Sequence, residues 1–258
     1  MAGVLTDTVD GVRIITLNRP ERHNAINDEM AEELGAAWAE AYEDPAAIAI
    51  LIRGAGKSFC SGRDVAVLGH RARQESDFHF VRRAQVGRIA QLECPKPIVA
   101  ALKGAVLGGG CEMALTADVR VSSTDLKMAL PEINYGILPD TGGTQLMNAL
   151  IGPSRTKYLV LSGERIGAQT ALEWGAVDFV VEPEQLDDRA FEIARTFASK
   201  PPIALAMGKQ MVDQMHIGAI RTGIGQELLA QSALFLTEDY KEARAAHREG
   251  RKPQYQGR

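Results

Sequence analysis

The chain is poor in the residues that mark several functional classes. Only three of its 258 residues are cysteine, Cys60, Cys94 and Cys111, an odd set with no CxxC pair. That excludes a disulfide framework and a zinc ribbon and fits a reducing compartment. Aromatic residues make up 5% of the chain, too few for an aromatic binding surface. Neither charge dominates: 29 Lys and Arg against 33 Asp and Glu leave a net charge of −4, which supplies no field for drawing in a phosphate backbone. No uncharged apolar run approaches the roughly 18 residues a membrane span needs, and the first residues carry no basic patch followed by an apolar core. The five histidines, His23, His70, His79, His216 and His247, have no metal-ligand spacing. The GxSxG, HExxH and GxGxxG patterns are missing, so metal hydrolysis, serine hydrolysis and dinucleotide redox chemistry lack support. Proton work falls to carboxylates in a chain expected to be cytoplasmic and to bind neither nucleic acid nor membrane.

What is present is an α/β pattern. With 45% apolar and 24% charged residues the composition is globular, and a prior of about 150 residues per domain allows one large domain or two small ones. Val12–Leu17 reads as a strand between Gly11 and the Asn18-Arg19-Pro20 stop. Asp28 can cap a helix to Glu43, with Met30, Leu34, Ala37, Trp38 and Ala41 on its inward face. Strands at Ile48–Arg53 and Pro97–Leu102 each run into a glycine loop, Gly54–Gly62 and Gly104–Gly110, and both loops should share one sheet edge. A helix at Cys111–Leu115 and strands at Asp118–Ser123 and Ala176–Val181 follow. From Gly143 onward the pattern is nearly all helical, with Pro153 and Pro183 at first-turn positions. Met207, Met211 and Met215 read as a core stripe, and Lys200, Lys209 and Arg221 as a solvated face.

The second glycine loop sits between a strand and a helix, where it serves either close helix packing or an anion held by backbone N–H groups. Glu112 follows it directly on the first helical turn, either as a surface cap or as a functional carboxylate. Glu132, inside the apolar Leu130-Pro131-Glu132-Ile133, lies twenty residues on, and Asp140 follows in Leu138-Pro139-Asp140-Thr141-Gly142-Gly143. Three acids in one apolar, glycine-rich stretch are candidates for catalysis.

Five motifs in order, Asn18-Arg19-Pro20 with Asn24-Ala25, Phe59-Cys60-Ser61-Gly62-Arg63-Asp64, Gly108-Gly109-Gly110-Cys111-Glu112, Pro131-Glu132 and Gly142-Gly143-Thr144-Gln145, resemble the enoyl-CoA hydratase/isomerase (crotonase) family from about Val12 to Tyr255. The resemblance implies a crotonase-like spiral of ββα repeats over residues 1–195, holding the acyl-CoA site, and a C-terminal helical trimerisation region over residues 196–258. It implies a homotrimer, or a hexamer as a dimer of trimers. The oxyanion hole would be the N–H groups of Arg63 and Gly109. Glu112 and Glu132 would add water syn across the 2,3 double bond of a 2-enoyl-CoA thioester. Substrate contacts would come from Arg22, His23, Ala25 and Cys60, and from Ser61, Gly62, Asp64 and Leu138. No metal and no cofactor beyond the coenzyme A of the substrate is called for. Asp140 resembles the third carboxylate of double-bond isomerase branches, so the alternative is an enoyl-CoA or dienoyl-CoA isomerase using Asp140 with Glu132. Ala243 and His247 stand where the family often carries glycine and phenylalanine, at the far wall of the acyl pocket.

Overall fold

The computed structural model describes residues 2–67 and 74–258, so His70 lies outside the described residues. The chain opens with β1 (Val4–Val9) and β2 (Val12–Leu17), followed by α1 (Asp28–Glu43), β3 (Ala49–Gly54), α2 (Asp77–Leu92), β4 (Ile98–Leu102), β5 (Ala105–Leu107) and α3 (Gly109–Leu115). It continues through β6 (Val119–Ser123), β7 (Lys127–Ala129), α4 (Gly143–Ser162), β8 (Ile166–Gly167), α5 (Ala168–Trp174), β9 (Phe179–Val181), α6 (Leu186–Ala198), α7 (Pro202–Asp213), α8 (Ile217–Leu234) and α9 (Glu238–Glu249).

The larger sheet runs β1-β2-β3-β4-β6-β9, with β1 antiparallel to β2 and every other neighbour parallel. Its central strands are continuous apolar runs because both faces are covered. Ile50 and Ile52 of β3, with Ile98, Ala100 and Leu102 of β4, share a cluster with Met30, Leu34, Ala37, Trp38 and Ala41 of α1. The alternate residues Leu51, Val99, Ala101 and Val121 meet Leu186, Ala190 and Ala194 of α6 on the other face. Each such aliphatic side chain contributes about 1.5–3 kcal/mol on full burial. α1 is capped by Asn27, whose side chain accepts from Met30 N, and not by Asp28 as expected.

After each inner strand the chain crosses to a smaller layer, β5-β7-β8. Cys60 bridges Val106 after β3, β5 follows β4, and β7 follows β6, each step leading on to a helix. These are the ββα turns of the expected spiral. β1, β5, β7 and β8 were not anticipated from the sequence. α4 is broken at Gly152 (φ 78, ψ 169), and Pro153 restarts it, which is the first-turn role read for that proline.

Two expectations for the C-terminal helices are overturned. Met207, Met211 and Met215 are exposed at 57%, 70% and 78%: the first two lie on a face of α7 that no other described element covers, and Met215 stands in the turn after it. Lys209 is not solvated: its ammonium pairs with Asp118 and with Asp213 at 3.6 Å, and its side chain is 9% exposed. Among the described residues no helix is long and apolar enough to cross a membrane.

Candidate active site

Two loops meet back to back at the open end of the spiral. The first, Ser58–Asp64, is anchored from one side by Ile26, whose N–H donates to Gly62 O at 2.8 Å and whose carbonyl accepts from Asp64 N at 2.9 Å. In a parallel bridge this pattern turns the intervening N–H, that of Arg63, away from Ile26. From the other side β5 holds the loop, with Cys60 N donating to Ala105 O and Leu107 N to Cys60 O, both at 3.0 Å. Gly62 is obligatory: its φ is +89, and a Cβ there would lie 2.6 Å from Leu107 O and 3.3 Å from Gly109 N. The second loop leaves β5 through Gly108 (φ 52, ψ −127) and enters α3 at Gly109. Among the described residues neither Arg63 N nor Gly109 N has a hydrogen-bond acceptor.

Glu112 is 2% exposed and is no surface cap. Its Oε1 accepts from Thr141 N at 2.8 Å and Gly143 N at 3.0 Å, the amides that open α4. Gly143 permits this, since a Cβ there would come within 2.9 Å of Glu112 Cγ. Glu132, in the 3-10 turn Pro131–Tyr135, is half-buried, yet its Oε2 is shut off from solvent without a partner. Its Oε1 lies against Gly108, where an added Cβ would sit 2.8 Å away, while Glu112 Oε2 would lie 4.0 Å from a Cβ on Gly109. The two carboxyl groups thus bracket the peptide that carries the Gly109 N–H.

Burial, and then the charge of Glu112, push the Glu132 carboxyl well above the usual carboxylate range. The same causes bring Asp140 up to about 7, against the pull of a hydrogen bond from Gln231 Nε2 at 3.1 Å. A cavity of about 1030 Å³ opens over these groups, lined by Gly62, Arg63, Gly109, Glu112, Glu132 and Asp140 together with the apolar Ile26, Leu107, Ile137 and Leu138. Ser61, Gly62 and Leu138, expected at the substrate, are part of this lining.

The remaining expected contacts stand outside the lining. Arg22 and His23 are exposed, with His23 Nδ1 2.9 Å from Ser58 Oγ. Ala25 is buried and its carbonyl accepts from Arg19, which also pairs with Asp64 at 3.3 Å. Cys60 is buried, donates its Sγ–H to Asn24 O at 3.2 Å, and has its thiol pushed up to about 11 by burial. These residues brace the first loop. The Arg63 guanidinium pairs with Asp28 at 2.5 Å and lies 5.2 Å over the Phe80 ring, and its charge still reaches Asp140, on which it favours the ionised form. His247 meets Tyr135 edge-on, with ring centroids 5.7 Å apart.

A family model described as enoyl-CoA hydratase/isomerase matches residues 7–258. The chain belongs to that family. It is 35% identical to a short-chain-enoyl-CoA hydratase of Clostridium acetobutylicum, over 96% of this chain and 95% of the relative. It is 32% identical to a 1,2-epoxyphenylacetyl-CoA isomerase of Escherichia coli, with both chains covered in full. A solved enoyl-CoA hydratase from Mycobacterium avium subsp. paratuberculosis matches with a TM-score of 0.89 at 26% identity, covering 99% of both chains. Hydratase and isomerase names both occur among relatives of this family member.

Sequence reasoning missed the residues that α2 and α8 bring to this enoyl-CoA hydratase/isomerase site. Gln231 donates to Asp140 and accepts from Leu138 N at 3.1 Å, and Gln85 Nε2 bridges Asp140 O and Ile224 O, each at 2.8 Å. Arg88, 8% exposed, donates to Gly109 O at 3.3 Å, and burial lowers its proton affinity while Glu112 works against that fall. Glu227 is 5% exposed and is pushed up to about 8 by burial and by Glu112. Glu227 follows the polar Gln226 in Ile224-Gly225-Gln226-Glu227, so it lacked the apolar context that singled out Glu132.

Proposed function

We propose that this protein is a 2-enoyl-CoA hydratase. The observation that carries the reading is the pair of unlike carboxyl groups on either side of the Gly109 amide. A thioester oxygen taken up by the N–H groups of Arg63 and Gly109 directs its Cα and Cβ over Glu132 and Glu112. Each such donor is worth about 3–4 kcal/mol to an oxyanion that forms in the transition state. Glu112, with one oxygen spent on two amides, keeps Oε2 for a water molecule. That water attacks Cβ and gives its proton to Oε2, the C2–C3 π electrons move onto the thioester as an enolate, and the enolate collapses as Cα takes the proton of Glu132. The elements of water are added to one face, and a proton passing from Glu112 back to Glu132 restores the starting state. Every proton has a carboxyl group to carry it, so the chemistry calls for neither a metal nor a redox cofactor.

The exposed face of α7, with Ile203, Met207 and Met211, and Met215 in the turn after it, supports assembly of the protein with copies of itself as a homotrimer or a hexamer, which light scattering on the purified protein would measure. A second reading rests on Asp140: a carboxyl group held near 7 in the same cavity is suited to shuttle a proton along a chain of carbons, as in an isomerase. Purified protein is therefore given crotonyl-CoA, and loss of the conjugated thioester absorbance is followed beside isomerisation of a 3-enoyl-CoA. Hydration is expected to be the faster. Isomerisation faster than hydration of every 2-enoyl thioester tried would replace the hydratase reading by the isomerase one.

A further inference from the structure

Four successive amides at the start of α4 point alternately at two carboxylates. Thr141 N and Gly143 N donate to Glu112 Oε1 at 2.8 and 3.0 Å. Gly142 N donates to Glu227 Oε2 at 2.7 Å and Thr144 N to Glu227 Oε1 at 3.4 Å, and the Thr144 hydroxyl bonds the same Oε1. The first N–H groups of a helix have no acceptor within it. The N-cap residue here is Gly142, which has no side chain to serve them. Two glutamates from elsewhere in the chain do so instead, Glu112 from α3 and Glu227 from α8, both at the positive end of the α4 dipole.

We infer that Glu227 is a positioning residue for Glu112: by holding the even-numbered amides it fixes the loop whose odd-numbered amides hold Glu112, leaving Glu112 Oε2 aimed into the cavity. This inference rests on the hydratase reading for the reaction it serves. The mechanical argument is local. Glu112 Oε1 is tied down by Thr141 and Gly143 alone, and the residue between them, Gly142 at φ 101, lets the loop turn easily. Taking Glu227 away leaves one buried and one part-buried amide without acceptors, which is costly enough for the loop to rotate in search of others. Gln231 and Gln85 hold Leu138 and the Asp140 backbone, upstream of the four amides, and do not replace it. A shift of about 1 Å in a reacting group costs on the order of 10²-fold in rate.

The test combines Glu227→Ala and Glu227→Gln, each made alone and with Glu112→Gln. Crotonyl-CoA kinetics are measured, with hydrogen–deuterium exchange of the Thr141–Thr144 amides. Glutamine retains an acceptor for Gly142 N and a donor for the Thr144 hydroxyl, so it should keep at least about a tenth of kcat. Glu227→Ala should lower kcat at least about 10²-fold with KM within about threefold, and should speed exchange at the four amides. Combined with Glu112→Gln it should cost nothing further, because both changes disable the same group. Losses that multiply in the double variant, a glutamine variant as slow as the alanine one, or unchanged exchange would each overturn the inference. If wild-type protein hydrates no 2-enoyl thioester, the hydratase reading falls, while exchange still decides whether Glu227 holds the loop. Should Glu227→Ala not fold, Glu227→Asp withdraws the carboxylate by one methylene and takes its place.

Discussion

Glu112 and Glu132 occupy neighbouring turns of one spiral and face the same cavity, yet their surroundings ask opposite things of them. Glu112 has one oxygen in a cradle of backbone N–H groups at the start of α4, which leaves the other for the cavity. Glu132 has a buried oxygen with no hydrogen-bond donor among the described residues, and burial and then the charge of Glu112 favour its protonated form. Identical side chains are thus held differently by the backbone around them, and on the hydratase reading proposed above Glu112 would accept a proton and Glu132 would donate one. Between them lies an amide belonging to neither, that of Gly109, and the asymmetry is useful only if an oxygen of the substrate is held there.

The most damaging way to break this arrangement is to remove that amide. Gly109→Pro deletes the N–H at the first position of α3, where proline is otherwise accepted, and is expected to reduce turnover at least about 10²–10³-fold. Arg63→Ala keeps its own N–H and gives up the Asp28 pair and the Phe80 contact, so turnover should fall only a few-fold. Steady-state rates on one 2-enoyl thioester compare the two. An Arg63→Ala enzyme as inactive as Gly109→Pro would mean that the guanidinium itself binds substrate.

The next effect sharpens the difference between the glutamates. Glu112→Gln and Glu132→Gln should each lower kcat at least about 10²-fold with affinity nearly unchanged. Their pH dependence should differ. On the hydratase reading the acid form of Glu132 is the one that works, so wild-type hydration is expected to fall as pH rises through its elevated pKa. The residual activity of Glu132→Gln has no such alkaline fall, whereas that of Glu112→Gln keeps it. Profiles of kcat for the three enzymes between pH 5 and 10 decide the assignment, and an alkaline limb unaltered in Glu132→Gln would remove Glu132 from the role of acid.

The parts of this site differ in how far they could be read from residues alone. β2 was legible to the residue and α1 to within its cap, which is Asn27 and not Asp28, because each carries its own periodicity, bounded by turn signals. The glycine loops and all three cavity acids were legible because glycine and acid in an apolar context are local marks. β5, β7 and β8 span three residues or two, too short for a period to show, and their pairing with Cys60 and with one another is a property of the spiral. The alternation of amides between Glu112 and Glu227 could not be read either, since it depends on α8 crossing the start of α4. The methionine stripe on α7 misled for a related reason: spacing reports that a face is apolar, and what covers it is decided elsewhere.

The smallest effects belong to Asp140, which stands beside the pair without the constraint of either. If Glu112 and Glu132 carry hydration between them, Asp140→Asn should keep at least about a tenth of it, a loss near 1.4 kcal/mol. In an isomerase the same change would abolish movement of a 3-enoyl double bond. Stability gives an independent measure. Asp140 is raised from 3.8 to about 7 by the fold, so between those values the native chain holds a proton that the unfolded chain has released. Its contribution to stability is therefore complete below about pH 4 and is lost as pH rises through 7. Asparagine cannot ionise and escapes that loss. A loss of about 1–2 kcal/mol is expected. Thermal unfolding should then show Asp140→Asn melting roughly 2–6 °C above wild type at pH 8, with the gap closing towards pH 4. A gap that stayed constant with pH would mean that Asp140 is ionised throughout, held by Gln231 and Arg88 more firmly than Glu112 repels it.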